Sequence, residues 1–302
     1  MIPNTNDGSK SAPRMKLDLN LGSIDDLPTW SSGPHSESLE AKFEAIRAAG
    51  YEGIQGGPEM VSTAQRFGLT VTTGGRIDHP READELARKM RDAGALCCTL
   101  HVGTGLETEA QADALCEAII ESSLRNSFPL YMETHRATLT QDCWRTLQLV
   151  ARHPGLRLNG DFSHWYTGLE MVYGDWNAKL QILKPVFDRV RFIHGRIGNP
   201  GSMQVDVGDG HTGDPQRPFV DHFRQMWTAS FAGFFRNNPK PGDVICFTPE
   251  LLSPRFYYAR VFNGREETDR WQQSLVLCQM ARECRSEEHT SELQSQFRIS
   301  YA

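Results

Sequence analysis

Hydrophobic residues along this chain recur in two alternating patterns. Short runs in which apolar residues alternate or follow one another are each succeeded by a longer segment with apolar positions three or four apart. That succession marks βα units laid into a parallel sheet. The first run covers 16–23, with leucines at 17, 19 and 21, and a helix is predicted over 38–49, where Leu39, Phe43 and Ile46 share a face and Gly50 supplies the stop. Further strand runs are predicted at 53–57, 69–75, 96–103, 129–136, 156–165, 190–198 and 243–252. The helix after the third run starts near Asp78 and Pro80, both N-terminal signals, and the last helix carries Trp271, Leu275 and Cys278. No repeat, linker or composition break interrupts this region. Eight strand–helix pairs in unbroken succession predict a single closed (β/α)8 barrel over residues 15–284. An open doubly wound sheet would ordinarily carry a Gly-rich turn after its first strand, and NLGSIDD is not one.

The length of 302 residues accommodates such a barrel, for which about 250 residues is typical. Hydrophobic content of 39% suffices for a sizeable core. A formal net charge of −6, without a run of Lys and Arg, argues against a general nucleic-acid binder. The seven cysteines are scattered, with only Cys97 and Cys98 adjacent, and read as reduced thiols of a cytoplasmic protein. No apolar run approaches the ~20 residues of a membrane span. Residues 1–14 are polar, lack the apolar stretch of a signal peptide and are expected to form a disordered leader, with Met15 a candidate start. Residues 285–295 read RSEEHTSELQS, which resembles the translation of a sequencing-adapter oligonucleotide, so 285–302 is expected to be a non-native tail.

Barrels of this kind carry their chemistry at the C-terminal ends of the strands. The fourth run ends in His101, the fifth in Glu133 with His135 and Arg136 beyond, the sixth in Asp161 with His164 three residues on, the seventh in His194 and Arg196, and the eighth in Glu250. Side chains alternate along a strand, so Glu133 and His135 share a side, as do His194 and Arg196. If those sides face the axis, three carboxylates and up to three imidazoles converge. Carboxylates crowded near a barrel interior repel and lose hydration, and a divalent cation is the simplest compensator. An oxygen-rich set with one imidazole and no thiolate suits Mn²⁺, Mg²⁺, Co²⁺ or Zn²⁺.

The ordered motifs M-E-T-H-R, D-F-S-H-W, I-H-G-R-I-G and T-P-E, with A-G-Y-E-G-I at 49–54, resemble the xylose-isomerase-like TIM-barrel superfamily, which includes sugar isomerases and epimerases, inosose dehydratases and AP endonucleases. The resemblance spans about residues 15–284. It implies that Glu133, Asp161, His194 and Glu250 are metal ligands, that Glu133 and Glu250 exchange the substrate proton, and that His164 and Arg196 hold substrate oxygens. His101 and Arg136 are additional candidates for substrate contact. Gln55 departs from the pattern, standing where many members carry glutamate, and the loop 199–217 has no evident counterpart.

The function so implied is a divalent-metal-dependent sugar isomerase or epimerase of carbohydrate metabolism, manganese being one candidate ion, working through an enediolate on a small sugar or polyol. The chain would act in the cytoplasm, without nucleic acid or membrane and with a homo-oligomer open as an arrangement. The alternatives are a phosphodiester hydrolase of the AP-endonuclease type, for which Asp209 and His211 offer a D-x-H pair, and an inosose-dehydratase-like lyase on the same metal site.

Overall fold

A computed structural model describes the backbone of residues 1–299 and the side chains as far as Glu287. Eight parallel strands form the barrel: β1 (Arg14–Asn20), β2 (Gly53–Gln55), β3 (Thr70–Ile77), β4 (Cys98–Val102), β5 (Leu130–Glu133), β6 (Leu158–Gly160), β7 (Val190–Gly195) and β8 (Asp243–Pro249). They pair in chain order, and β8 closes the ring by pairing with both β7 and β1. In register, Leu17 lies opposite Phe247 and His194 opposite Thr248. The expected (β/α)8 barrel is therefore present.

Alternation along β1 sorts its residues between two environments. Leu17 faces outward, against Leu275 and Cys278 of the last helix, whereas Lys16, Asp18 and Asn20 point to the axis. Lys16 and Asp18 form a buried ion pair beneath the functional end. Their side chains fill the space beside Gly53, where an added Cβ would come within 2.5 Å of Asp18 Oδ1. On β8, Phe247 packs edge-on to Trp227 of the helical layer, with ring centroids 5.0 Å apart, while Cys246 is buried inside.

The outer layer comprises α1 (Leu39–Ala48), α2 (Val61–Arg66), α3 (Glu82–Asp92), α4 (Glu109–Asn126), α5 (Cys143–Arg152), α6 (Ser163–Gly168), α7 (Trp176–Ile182), α8 (Lys184–Phe187), α9 (Pro218–Arg236) and α10 (Arg270–Ile299). Local chemistry fixes several starts. Ser38 caps α1 through the Ala41 amide, Thr108 and Gln111 form a reciprocal capping box on α4, and Asp142 and Asp175 cap α5 and α7. Gly233 lets α9 lie directly on α8, since a Cβ there would come within 2.5 Å of the Phe187 carbonyl oxygen.

Both ends of the chain make contact with the barrel body. The leader is ordered across the N-terminal mouth of the barrel. Thr5–Asn6 pairs antiparallel with Val244 and Asp243, Ile2 is buried, and the Thr5 amide donates to Tyr131 Oη at 2.7 Å. The physical reason is that Tyr131 reaches the barrel floor, where its hydroxyl and the adjoining strand edge need partners that a polar, extended segment provides. At the other end, helix α10 continues past residue 285, with Glu287 paired to Arg224 at 2.9 Å. Side chains from residue 288, and residues 300–302 altogether, lie outside the described residues. Among the described residues all seven cysteines are free, and no helix is long and apolar enough to cross a membrane.

Candidate active site

Each candidate side chain is delivered by the end of a different strand. Glu133 is the last residue of β5, and its carbonyl accepts a hydrogen bond from the Thr140 hydroxyl. Strand β6 stops at Gly160, and Asp161 then braces the turn that leads into α6 by accepting from the Ser163 amide at 3.2 Å and hydroxyl at 2.5 Å. The sixth strand is thus shorter than the predicted 156–165 run. His164 belongs to the first turn of α6, whose N-cap is Phe162, and the Asp161 side chain braces the turn just before it. His194 lies on β7 with Arg196 just beyond, and Glu250 follows β8, its amide donating to the Gly195 carbonyl at 3.3 Å.

These residues converge. His194 Nδ1 is 3.4 Å from Glu133 Oε2, 3.8 Å from Asp161 Oδ2 and 3.6 Å from Glu250 Oε2. One donor atom from each of the four residues lies within 4.8 Å of all the others. A divalent ion with bonds of about 2.0–2.2 Å needs its donors about 3–4.4 Å apart; the three distances from His194 Nδ1 fall in that range, so the set could hold one ion, and its oxygen-rich character suits Mn²⁺, Mg²⁺, Co²⁺ or Zn²⁺. Glu133, Asp161 and His194 are almost fully buried, whereas Glu250 is 15% exposed on the side of a cavity of about 640 Å³. Asn20, Gln55, Arg76, Thr99 and His101 also line that cavity.

Without an ion, three carboxylates share few positive charges. Arg196 bonds Asp161 directly and reaches Glu250 Oε2 at 3.1 Å. Burial raises the Asp161 carboxyl to about 6, with Arg196 opposing and the other two carboxylates adding to the rise. Burial would lower His194, but Glu250, Glu133 and Asp161 override it and raise the imidazole to about 9. Burial likewise works to raise Glu133, yet His194 and His101 hold it well below the usual carboxylate range. Burial, reinforced by Arg196, keeps His164 well below its ordinary value and therefore neutral. His101 Nε2 is 3.4 Å from Glu133 Oε1. His135 lies between the rings of His101 and His164, tilted 37° and 45° to them with centroids 4.0 and 3.8 Å away, and burial lowers it to about 4.

No family model matches the chain, and no curated protein matches it in sequence. Solved structures do match. An L-ribulose 3-epimerase superimposes with TM-score 0.56 and 12% identity, covering 93% of this chain and 98% of its own. A D-psicose 3-epimerase solved in the presence of D-fructose gives 0.53 and 10%, covering 90% and 99%. The probable 3-DHS dehydratase AsbF from Bacillus anthracis gives 0.50 and 14%, covering 88% and 97%. The fold is that of the xylose isomerase-like TIM barrels.

Within this xylose isomerase-like barrel, the four expected ligands, together with His101, His164 and Arg196, meet at one end. Arg136 is exposed at the rim, its guanidinium 5.3 Å from the centre of the Tyr258 ring, and Arg196 lies 4.5 Å from the same centroid. Asp209 and His211 do not join the cluster. They pair with each other at 3.2 Å, with side chains 69% and 90% exposed. Trp165 is fully buried and donates to the Thr140 carbonyl, a packing role.

Sequence reasoning missed four polar residues of the site. Asn159, two residues before Asp161 on the same side of β6, donates to Glu133 Oε2 at 3.0 Å. Asn20 ends β1 and donates to Glu250 Oε1 at 3.0 Å. Gln55, noted only as a departure, accepts from His194 Nε2 at 2.9 Å. Strand-end position and parity could have found these three. Tyr258 comes from the loop after β8, and no local pattern points to it.

Proposed function

We propose that this protein is a divalent-metal-dependent isomerase or epimerase of a small sugar or polyol. The observation that carries this reading is the Glu133–Asp161–His194–Glu250 cluster, which opens through Glu250 onto a polar cavity. Isomerisation and epimerisation both remove a weakly acidic proton from a carbon next to a carbonyl. An ion in the cluster supplies positive charge where the oxyanion develops. Glu133, beside the cluster's imidazole, would take the proton, a contribution typically worth about 10²–10⁴-fold. Glu250 approaches from β8, three strands further round the ring, and would return it. Neutral His164 and the guanidinium of Arg196 adjoin, with Nε2 and Nη2 3.2 Å apart, and would hold substrate oxygens beside Asp161. The hydrolase alternative drew on Asp209 and His211, whose exposed self-pairing leaves it without support from the site.

The test is turnover of a ketose and aldose panel by Mn²⁺-loaded protein in deuterated water, followed by NMR. Wild type should incorporate deuterium at the carbon beside the carbonyl. Glu133→Gln or Glu250→Gln, with metal content verified, should retain exchange but lose inversion if two bases act. Full turnover in both variants would refute the proton-transfer roles. Loss of a hydroxyl from the product would instead indicate a lyase on the same site.

A further inference from the structure

Strand β2 is only three residues long, and it ends with a buried amide among charged groups. Gln55 Oε1 accepts from Asn20 Nδ2 at 2.9 Å and from His194 Nε2 at 2.9 Å, while Gln55 Nε2 donates to Thr99 Oγ1 at 3.0 Å. The orientation of this amide follows from its neighbours. Asn20 Oδ1 accepts the backbone amide of Gly22 at 2.8 Å, which turns Asn20 Nδ2 toward Gln55 and Glu250. Glu250 offers only acceptors when ionised, and Asn20 Nδ2 offers only donors, so the Gln55 atom facing it must be the oxygen. That same oxygen faces His194 Nε2, which must then carry a hydrogen. In a ring with one proton, Nδ1 keeps its lone pair, which accepts from Asn159 Nδ2 at 3.1 Å and lies 3.4–3.8 Å from the three carboxylates.

We propose that Gln55 is a positioning residue for metal binding, fixing His194 in the Nε2–H tautomer and in the ring orientation that presents Nδ1 to the ion. The inference rests on the metal-site reading above. It also accounts for an amide at this position. Glutamine supplies the acceptor that His194 needs, without adding a fourth buried carboxylate beside Glu133, Asp161 and Glu250. Through Asn20 the same oxygen ties His194 to Glu250, so ligands from β7 and β8 are braced from β1 and β2 across the barrel. Hydrogen-bond partners of this kind commonly change metal affinity by about 10–100-fold when removed.

The experiment titrates metal-free full-length protein with Mn²⁺ in competition with a chelator, comparing wild type, Asp161→Ala, Gln55→Leu and Gln55→Glu. Thermal unfolding of each metal-free form checks folding. Wild type should bind one ion and Asp161→Ala none. Gln55→Leu should bind about 10–100-fold more weakly, and Gln55→Glu, which keeps an acceptor for Nε2–H, should match wild type or bind more tightly. Wild-type affinity in Gln55→Leu, or weakening in Gln55→Glu equal to that in Gln55→Leu, overturns the role of Gln55 and leaves the metal reading intact. No uptake by wild type overturns both. Should Gln55→Leu fail to unfold cooperatively, Gln55→Met and Gln55→Glu decide, and loss of affinity in the glutamate variant overturns the proposal.

Discussion

Metal binding at the cluster should expel a proton, and the structure sets the number. With His194 at about 9 in the metal-free protein, its imidazole is about 99% protonated at pH 7, while Asp161 at about 6 is only about 10% protonated. An ion can use Nδ1 only after the imidazole loses a proton, so uptake at pH 7 should release about one proton. The competition weakens apparent affinity at pH 7 by about 100-fold relative to the deprotonated site. Apparent affinity should therefore rise about tenfold per pH unit from 7 toward 9, and fall more steeply below 6 as Asp161 also protonates. The assay is calorimetric titration with Mn²⁺ at pH 7 in two buffers of different ionisation enthalpy, with dissociation constants measured from pH 6.5 to 8.5. Release of less than half a proton, or a dissociation constant flat across that range, would refute the reasoning. The same raised imidazole bears on folding. Its contribution to metal-free stability is complete below the ordinary histidine value near 6.5 and is lost as pH rises through about 9, so the metal-free melting temperature should contain a component that declines over that window.

Three further outcomes follow from packing. Gly233→Ala forces a Cβ against the α8 backbone and should destabilise by about 1–3 kcal/mol, read by urea unfolding; an unchanged midpoint would show that α9 can move away freely. Deleting residues 1–13 exposes Tyr131 and the floor of the barrel, so the melting temperature should fall by several degrees, and an unaltered value would mean the segment contributes nothing. Deleting residues 288–302, beyond the described side chains, should leave Mn²⁺ binding unchanged, and loss of binding would overturn the reading of that stretch as foreign to the barrel.

Much of this architecture is legible in one dimension. The two hydrophobic periods locate all eight strands, and leucines at 17 and 19 announce an outward apolar face in β1. Glu133, Asp161, His194 and Glu250 could be named because a parallel barrel brings all its strand ends to one rim, so position along the strand already implies proximity. What sequence could not settle is how neighbours divide the work of hydrogen bonding. The strand ends at Gly160, Asp161 folds back onto Ser163, and His164 falls on a short helix rather than on the strand. Gln55 reads as a lapse from a pattern until closure of the ring places it 2.9 Å from His194, a contact across 139 residues of chain. Tyr258 and the N-terminal segment show the same limit. Each is fixed by a partner remote in sequence, Arg196 in one case and Tyr131 in the other. Periodicity records which side of an element is buried. Only the closed barrel decides which polar groups share that interior, because every buried donor and acceptor there must find its partner among the others.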